Sequence, residues 1–405
     1  MRLSGVLVAA ALLVVGCSGS DSALKKDDAA TPETEEAAAI TAEELPADAA
    51  DFYTVPDPLP AGEPGDLLRY QGVDGDIVPG TTVWRVMYLS ESVQDEAIAV
   101  TGLVAIPNSP APAEGRKILS IGHGTTGVRD DCTPSRSPGS ELALLGPAAD
   151  AGYVIAMTDY EGLGTPGLHP YLVGESEGRG ILDAAKAARQ LPDAEAGDRL
   201  AIWGYSQGGH AALWANQLAE EWAPELDLVG TVAGGPATEM PTIFTATGSV
   251  EALRGFFMLI MAGYSQAYPD ADPSLVLTDA GMTVLDRFAT GEDCDVDLSP
   301  PDGQPLVHSD FATAEPWPTL MEDNDPGHVA VDSPLLILHS AADQVVPASL
   351  SEALFNRLCG LDQDVERRVY DQGDSHVLAA VDAATDGLVW LEARMAGQPT
   401  TPNCP

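Results

Sequence analysis

A chain of 405 residues with 45% hydrophobic content can build one large α/β domain carrying an insertion, or two domains. Its formal net charge of -43, from 62 acidic residues against 19 Lys and Arg, repels nucleic acid and anionic bilayers and argues against both as ligands. The acidity reads most simply as a solubilising, salt-adapted surface. No P-loop, dinucleotide fingerprint or C-x-x-C pair is present, so neither a cofactor nor a structural zinc is expected.

Met1-Arg2 leads into an apolar run from Leu3 to Val15, the pattern of a secretory signal and too short for a membrane span. The run ends Val14-Val15-Gly16-Cys17-Ser18-Gly19-Ser20, which resembles the lipobox of bacterial lipoproteins, where the cysteine becomes the lipidated first residue. Residues 1–16 are then a signal peptide and Cys17 a lipid anchor on the outer face of the cell membrane. Plain secretion with Cys17 incidental is the alternative. Residues 17–66 read as a disordered tether: between Asp21 and Asp66 thirteen acids face two lysines, with few large apolar groups to offset chain entropy. Around Phe52 to Leu68 the chain is expected to begin docking. Four cysteines remain, an even count that suits two disulfides in an exported chain and allows three pairings. The favoured set is Cys359–Cys404, stapling the C-terminal tail, with Cys132–Cys294, tying a loop to an inserted segment.

From residue 67 strands and helices alternate. Val83–Leu89 and Ile98–Ile106 read as an antiparallel pair; Lys117–Ile121 and Tyr153–Thr158 as short buried strands. Glu177–Leu191 has helical periodicity through Ile181, Leu182, Ala185 and Ala188. Leu200–Trp203 is a buried strand, and Leu228–Val232, Leu335–His339 and Glu366–Tyr370 follow, with helices at Ala348–Leu358 and Val377–Ala396. Such alternation predicts an α/β fold with a mostly parallel sheet and helices on both faces. Residues 237–332 break the rhythm. They read as a cap inserted between core parts 67–236 and 333–405, and the run Phe256-Phe257-Met258-Leu259-Ile260-Met261 is either helix core or the lining of an acyl-chain pocket. Phe256, Phe257 and Met261 are the pocket candidates.

The chemistry centres on Gly204-Tyr205-Ser206-Gln207-Gly208, set between the Leu200–Trp203 strand and the apolar helix Ala211, Ala212, Leu213, Trp214, Leu218. That is the strand–turn–helix setting of a G-x-S-x-G elbow, whose tight turn leaves no room for side chains at 204 and 208. Ser206 is the candidate nucleophile. A serine hydroxyl needs an imidazole to take its proton and a carboxylate to fix the imidazole's tautomer. Both follow the serine in this chain order. His210 lies on the elbow helix and points away; His308 and His328 fall in the cap; His339 ends a strand with no later acid in the usual order. His376, in a Gly-containing loop after the last strand, is the candidate base. Asp343, on the loop after Leu335–His339, is the candidate acid, with Asp374 its competitor. The oxyanion donors expected are the backbone N–H groups of Gln207 and, after the early strand, Thr125, with the Thr125 hydroxyl or Gly124 as alternatives. Asp293, Asp295 and Asp297 alternate as in a calcium loop but lack its glycine and closing glutamate, and read as a solvated acidic loop.

Gly122-His123-Gly124-Thr125-Thr126-Gly127, Asp159-Tyr160-Glu161-Gly162-Leu163-Gly164, the elbow, the Asp343 loop and His376 together resemble the secretory lipase family, which holds fungal lipases of the Candida lipase A type and many actinobacterial members. The likeness spans roughly Asp51 to Met395. It implies an α/β-hydrolase fold with an inserted cap and hydrolysis of acylglycerols or simpler carboxylic esters, without a cofactor. It also supports Cys132–Cys294, since fungal relatives join a loop before the elbow to the cap. Some relatives place an acidic side chain in the oxyanion loop, where this chain has His123-Gly124-Thr125. The expectation is a monomeric serine hydrolase, most simply a triacylglycerol lipase, with a short-chain or aromatic carboxylesterase, a serine peptidase and a non-catalytic surface-binding lipoprotein as alternatives.

Overall fold

The short apolar runs Ile118–Leu119, Val154–Met157, Leu200–Trp203 and Leu335–Leu338 lack polar alternation, which suits strands covered on both faces. The computed structural model describes residues 40–291, 303–371 and 375–405. Ten strands among the described residues form one sheet: β1 (Glu43–Leu45), β2 (Leu67–Gly72), β3 (Thr81–Glu91), β4 (Ala97–Pro107), β5 (Arg116–Gly122), β6 (Tyr153–Thr158), β7 (Ala196–Tyr205), β8 (Asp227–Gly234), β9 (Leu335–Ser340) and β10 (Val365–Tyr370). Their order is β1-β2-β3-β4-β6-β5-β7-β8-β9-β10. The β2–β3, β3–β4 and β4–β6 pairs are antiparallel, and every pairing from β6 to β10 is parallel. This is the mostly parallel α/β-hydrolase sheet.

The helices are α1 (Ser140–Leu144), α2 (Pro147–Asp150), α3 (Gly174–Ala188), α4 (Gln207–Trp222), α5 (Met240–Ser249), α6 (Arg254–Ala267), α7 (Asp279–Thr290), α8 (Trp317–Asp323), α9 (Ala348–Gly360) and α10 (Ala379–Met395). α3 and α4 cover one face through Ile181, Leu182, Ala185, Ala211, Ala212 and Ala215, against Ile118, Leu200 and Ile202. α10 covers the other through Ala383, Ala384, Trp390 and Leu391, against Trp203, Val232 and Leu336. Alternate residues of one strand thus enter opposite layers, the period-2 signature of a strand buried twice.

Residues between β8 and β9 form a separate apolar cluster of α5 to α8. Its centre is aromatic: Phe244 stacks on Trp317 at 5.8 Å between centroids and meets Phe257 at 5.3 Å. This cluster sits over the ends of the strands that carry the elbow, where α/β sheets bind ligands.

Two expectations need correction. The stretch read as a tether to residue 66 is already structured from residue 40: β1 pairs in parallel with β2, and Phe52 is buried among Leu68, Met87 and Leu89. A few apolar groups suffice there because buried side chains satisfy the backbone. Gln71 Nε2 donates to the Pro46 and Ala49 carbonyls, and Arg69 to that of Thr54. Phe257 and Met261 are helix core, 1% and 0% exposed; of the three pocket candidates only Phe256 faces a cavity. Cys359–Cys404 is formed. Cys132 is also disulfide-bonded, whereas Cys294 lies outside the described residues, as do the signal segment, Cys17, Asp293, Asp295, Asp297 and Asp374.

Candidate active site

Ser206 caps the junction of β7 and α4 with φ 60° and ψ -118°, left-handed backbone that an L-residue adopts only under local compulsion. The compulsion is visible. The Ser206 N–H donates to the Gly234 carbonyl at 2.8 Å, and its carbonyl accepts the first helical bond from His210. A Cβ at 204 would overlap the Gly208 carbonyl, and one at 208 the Gly122 carbonyl, so only glycine lets strand and helix approach this closely. The result is a partly exposed serine at the tip of the turn.

His376 and Asp343 arrive from the ends of β10 and β9. Ser206 Oγ donates to His376 Nε2 at 2.8 Å, and His376 Nδ1 donates to Asp343 Oδ2 at 2.5 Å. The Tyr205 hydroxyl donates to the His376 carbonyl at 2.7 Å, so the residue before the serine fixes the backbone of the imidazole. Asp343 accepts from the N–H groups of Val345 and Val346 through Oδ1. His339 Nε2 donates to the Val346 carbonyl at 2.8 Å and lies 3.4 Å from Asp343 Oδ2. Burial opposes ionisation of Asp343, but the His339 and His376 rings and the Val346 N–H outweigh it and hold the carboxyl well below the usual carboxylate range.

Two cavities meet at Ser206. One, of about 230 Å³, runs beneath α5 and α6 and is lined by Ile243, Ala246, Leu253, Phe256, Ile260, Val345 and Leu350 among others. The second, of about 660 Å³, opens on the other side along Gly124–Thr126, Thr133, Tyr205, His376 and Val377. Ser206, Phe256 and Val345 border both. The candidate oxyanion residues flank the serine, Gln207 on the first cavity and Thr125 on the second. Gln207 is the first residue of α4, whose N–H has no intrahelical acceptor.

The remaining histidines stand elsewhere. His210 is fully buried, His328 pairs with Asp325 at 3.0 Å, and His308 lies at the edge of the α7 segment. Sequence reasoning passed over His339, whose i, i+4 spacing to Asp343 across the end of β9 was the available signal. It also missed Glu177, His169 and Tyr171. Glu177 shares the apolar stripe of α3 with Ile181 and Ala185, and a carboxylate on a buried stripe is itself a signal.

A serine, a carboxylate and an imidazole in this chain order, with the serine at an elbow between a parallel strand and a helix, define a serine hydrolase of the α/β-hydrolase fold. Within that class the chain is similar to secretory lipases. The secretory lipase family model matches residues 135–297, a stretch that includes Ser206 and Gln207 and stops before Asp343 and His376. Among curated relatives, Lipase 1 of Candida albicans is 25% identical over 399 residues, covering 87% of this chain and 82% of its own. Lipase A of Moesziomyces aphidis is 26% identical, covering 87% and 80%. A "probable inactive lipase" of Mycobacterium tuberculosis is 26% identical, covering 86% and 82%. In fold, Candida antarctica lipase A in its closed state superposes with a TM-score of 0.75 at 24% identity, over 89% of this chain and 90% of its own.

Proposed function

We propose that this carboxylic-ester hydrolase is a triacylglycerol lipase working through an acyl-enzyme, exported and held on the outer face of the cell membrane by lipid on Cys17. The observation that carries the reading is the Ser206–His376–Asp343 relay, at 2.8 and 2.5 Å, opening onto an apolar cavity. Because one relative is described as inactive, the relay and not kinship supports catalysis here.

In this mechanism Ser206 Oγ attacks the ester carbonyl as its proton passes to His376 Nε2. Asp343 keeps Nδ1 protonated and stabilises the imidazolium. The carbonyl oxygen becomes an oxyanion, taken up by the backbone N–H groups of Gln207 and Thr125. Collapse expels the alcohol oxygen, which leaves with the proton from His376. Water then repeats the sequence on the acyl-enzyme and frees the acid. The acyl chain lies under α5 and α6, and the alcohol faces the wider cleft.

A short-to-medium-chain esterase is the second reading, favoured by the size of the first cavity. At about 230 Å³ that cavity is below the usual range of roughly 300–1,000 Å³ for small-molecule pockets. Initial rates on p-nitrophenyl esters from C2 to C16, and on emulsified tributyrin and triolein, separate the two. Triolein turnover abolished by Ser206→Ala supports the lipase. Rates that vanish beyond C8 on every substrate support the esterase and exclude the lipase.

A further inference from the structure

Beneath the elbow lies a buried polar cluster that the Ser206 relay does not use. Glu177, on α3, is 0% exposed, as are His169 and His210. Glu177 Oε1 accepts from Gln207 Nε2 at 2.8 Å and from the Leu172 N–H at 2.9 Å; Oε2 accepts from His210 Nδ1 at 2.9 Å. Gln207 Nε2 also donates to His169 Nε2 at 2.7 Å, while His169 Nδ1 donates to the Glu161 carbonyl. Both amide protons of Gln207 are thereby engaged, and its Oε1 is left without a hydrogen-bond partner among the described residues. The amide is therefore oriented by the carboxylate and the imidazole. His210 Nε2 faces the Asn324 carbonyl at 2.9 Å, so the ring bridges the Glu177 carboxylate and the backbone after α8. A buried carboxylate needs this kind of hydrogen bonding.

The cluster reaches both sides of the nucleophile. Gln207 follows Ser206 directly, so its side chain anchors the peptide whose N–H faces the oxyanion position. The segment held by Glu177 at Leu172 and by Gln207 at His169 also carries Tyr171, whose hydroxyl lies 2.9 Å from Thr125 Oγ1. We infer that Glu177 is a positioning residue for oxyanion stabilisation: its carboxylate fixes the Gln207 peptide through the Gln207 side chain, and Thr125 through the 169–172 segment and Tyr171. The inference rests on the reading of Ser206 as nucleophile. It has a sharp energetic consequence, because oxyanion donors act in the transition state and little in the ground state.

The test compares the full-length protein with Glu177→Gln, Gln207→Ala and the double variant on a soluble p-nitrophenyl ester. A trifluoromethyl ketone, which forms an anionic hemiketal on the serine, serves as transition-state analogue. Losing an oxyanion donor costs about 10²–10³ in kcat, and misplacing one should cost about 10–100-fold with KM within about threefold. Both single variants should show this loss. The analogue should weaken by the same factor, and the double variant should be little worse than either single one, since the two act as a unit. A Glu177→Gln protein with wild-type kcat and lowered thermal stability overturns the inference, as does a loss confined to KM or strict additivity. Should Glu177→Gln fail to fold, Gln207→Ala decides alone: it keeps the backbone N–H and removes the anchor, and wild-type kcat there overturns the inference. A wild-type protein that neither cleaves esters nor binds the ketone refutes the nucleophile assignment itself, a different result from a fast Glu177→Gln variant.

Discussion

Ser206 sits at φ 60° because strand and helix leave it no alternative, and its two ring-linked partners come from loops 137 and 170 residues further along the chain. Those partners were legible in the sequence because the elbow fixes its own glycines and the fold fixes the order of acid and base. The role of Glu177 was not, because its partners are assigned by packing: it meets Gln207 and His210 only when α3 lies against α4. Asp343→Asn leaves the hydrogen-bonded geometry but imposes the wrong His376 tautomer, and should cut kcat about 10⁴-fold with the fold intact by circular dichroism. Glu177 makes a pH-dependent contribution to stability. Burial raises its pKa, but the adjacent His169 and His210 rings prevail and depress it from 4.5 to about 2. A depressed carboxyl stabilises the folded state above its unfolded pKa and loses that contribution as pH falls through the folded one. Urea unfolding of wild type and Glu177→Gln should therefore differ by a constant amount above about pH 5, with the gap closing between pH 4.5 and 2. A gap independent of pH over that window would contradict the assignment.

At the scale of elements, α6 shows why an apolar run is ambiguous. Phe256 to Met261 has no polar residue to mark a face, so the sequence could not separate core from cavity lining. The structure separates them by about 100° of helix rotation. Phe256 and Ile260 turn toward the cavity at Ser206; Phe257 and Met261 turn into the aromatic cluster with Phe244 and Phe311. Opposite phenotypes follow for neighbouring residues. Phe257→Ala should cost about 3–5 kcal/mol of stability, by chemical denaturation, and leave the chain-length profile of hydrolysis unchanged. Phe256→Trp should leave stability within about 1.5 kcal/mol and depress octanoate hydrolysis relative to acetate at least tenfold. Swapped outcomes would mean that α6 is rotated on its axis.

Over the whole molecule, the mostly parallel sheet, its covering helices and the interval that breaks their alternation were legible because hydrophobic periodicity switches between strand and helix, whereas the strand order was not. The start of the fold was not, because composition alone cannot report that Gln71 and Arg69 bind the carbonyls of an acidic segment to the sheet. The net charge of -43 implies strong self-repulsion in the compact state. Salt at 1 M shrinks the screening length to about 3 Å, so the thermal midpoint should rise between low and molar NaCl; a fall would mean that specific ion pairs outweigh repulsion. Catalysis turns on Ser206. Its most direct test is the initial rate of p-nitrophenyl octanoate hydrolysis by the full-length protein and by Ser206→Ala at equal concentration. The relay predicts a loss of at least about 10⁴-fold in kcat. A variant within tenfold of wild type would contradict it.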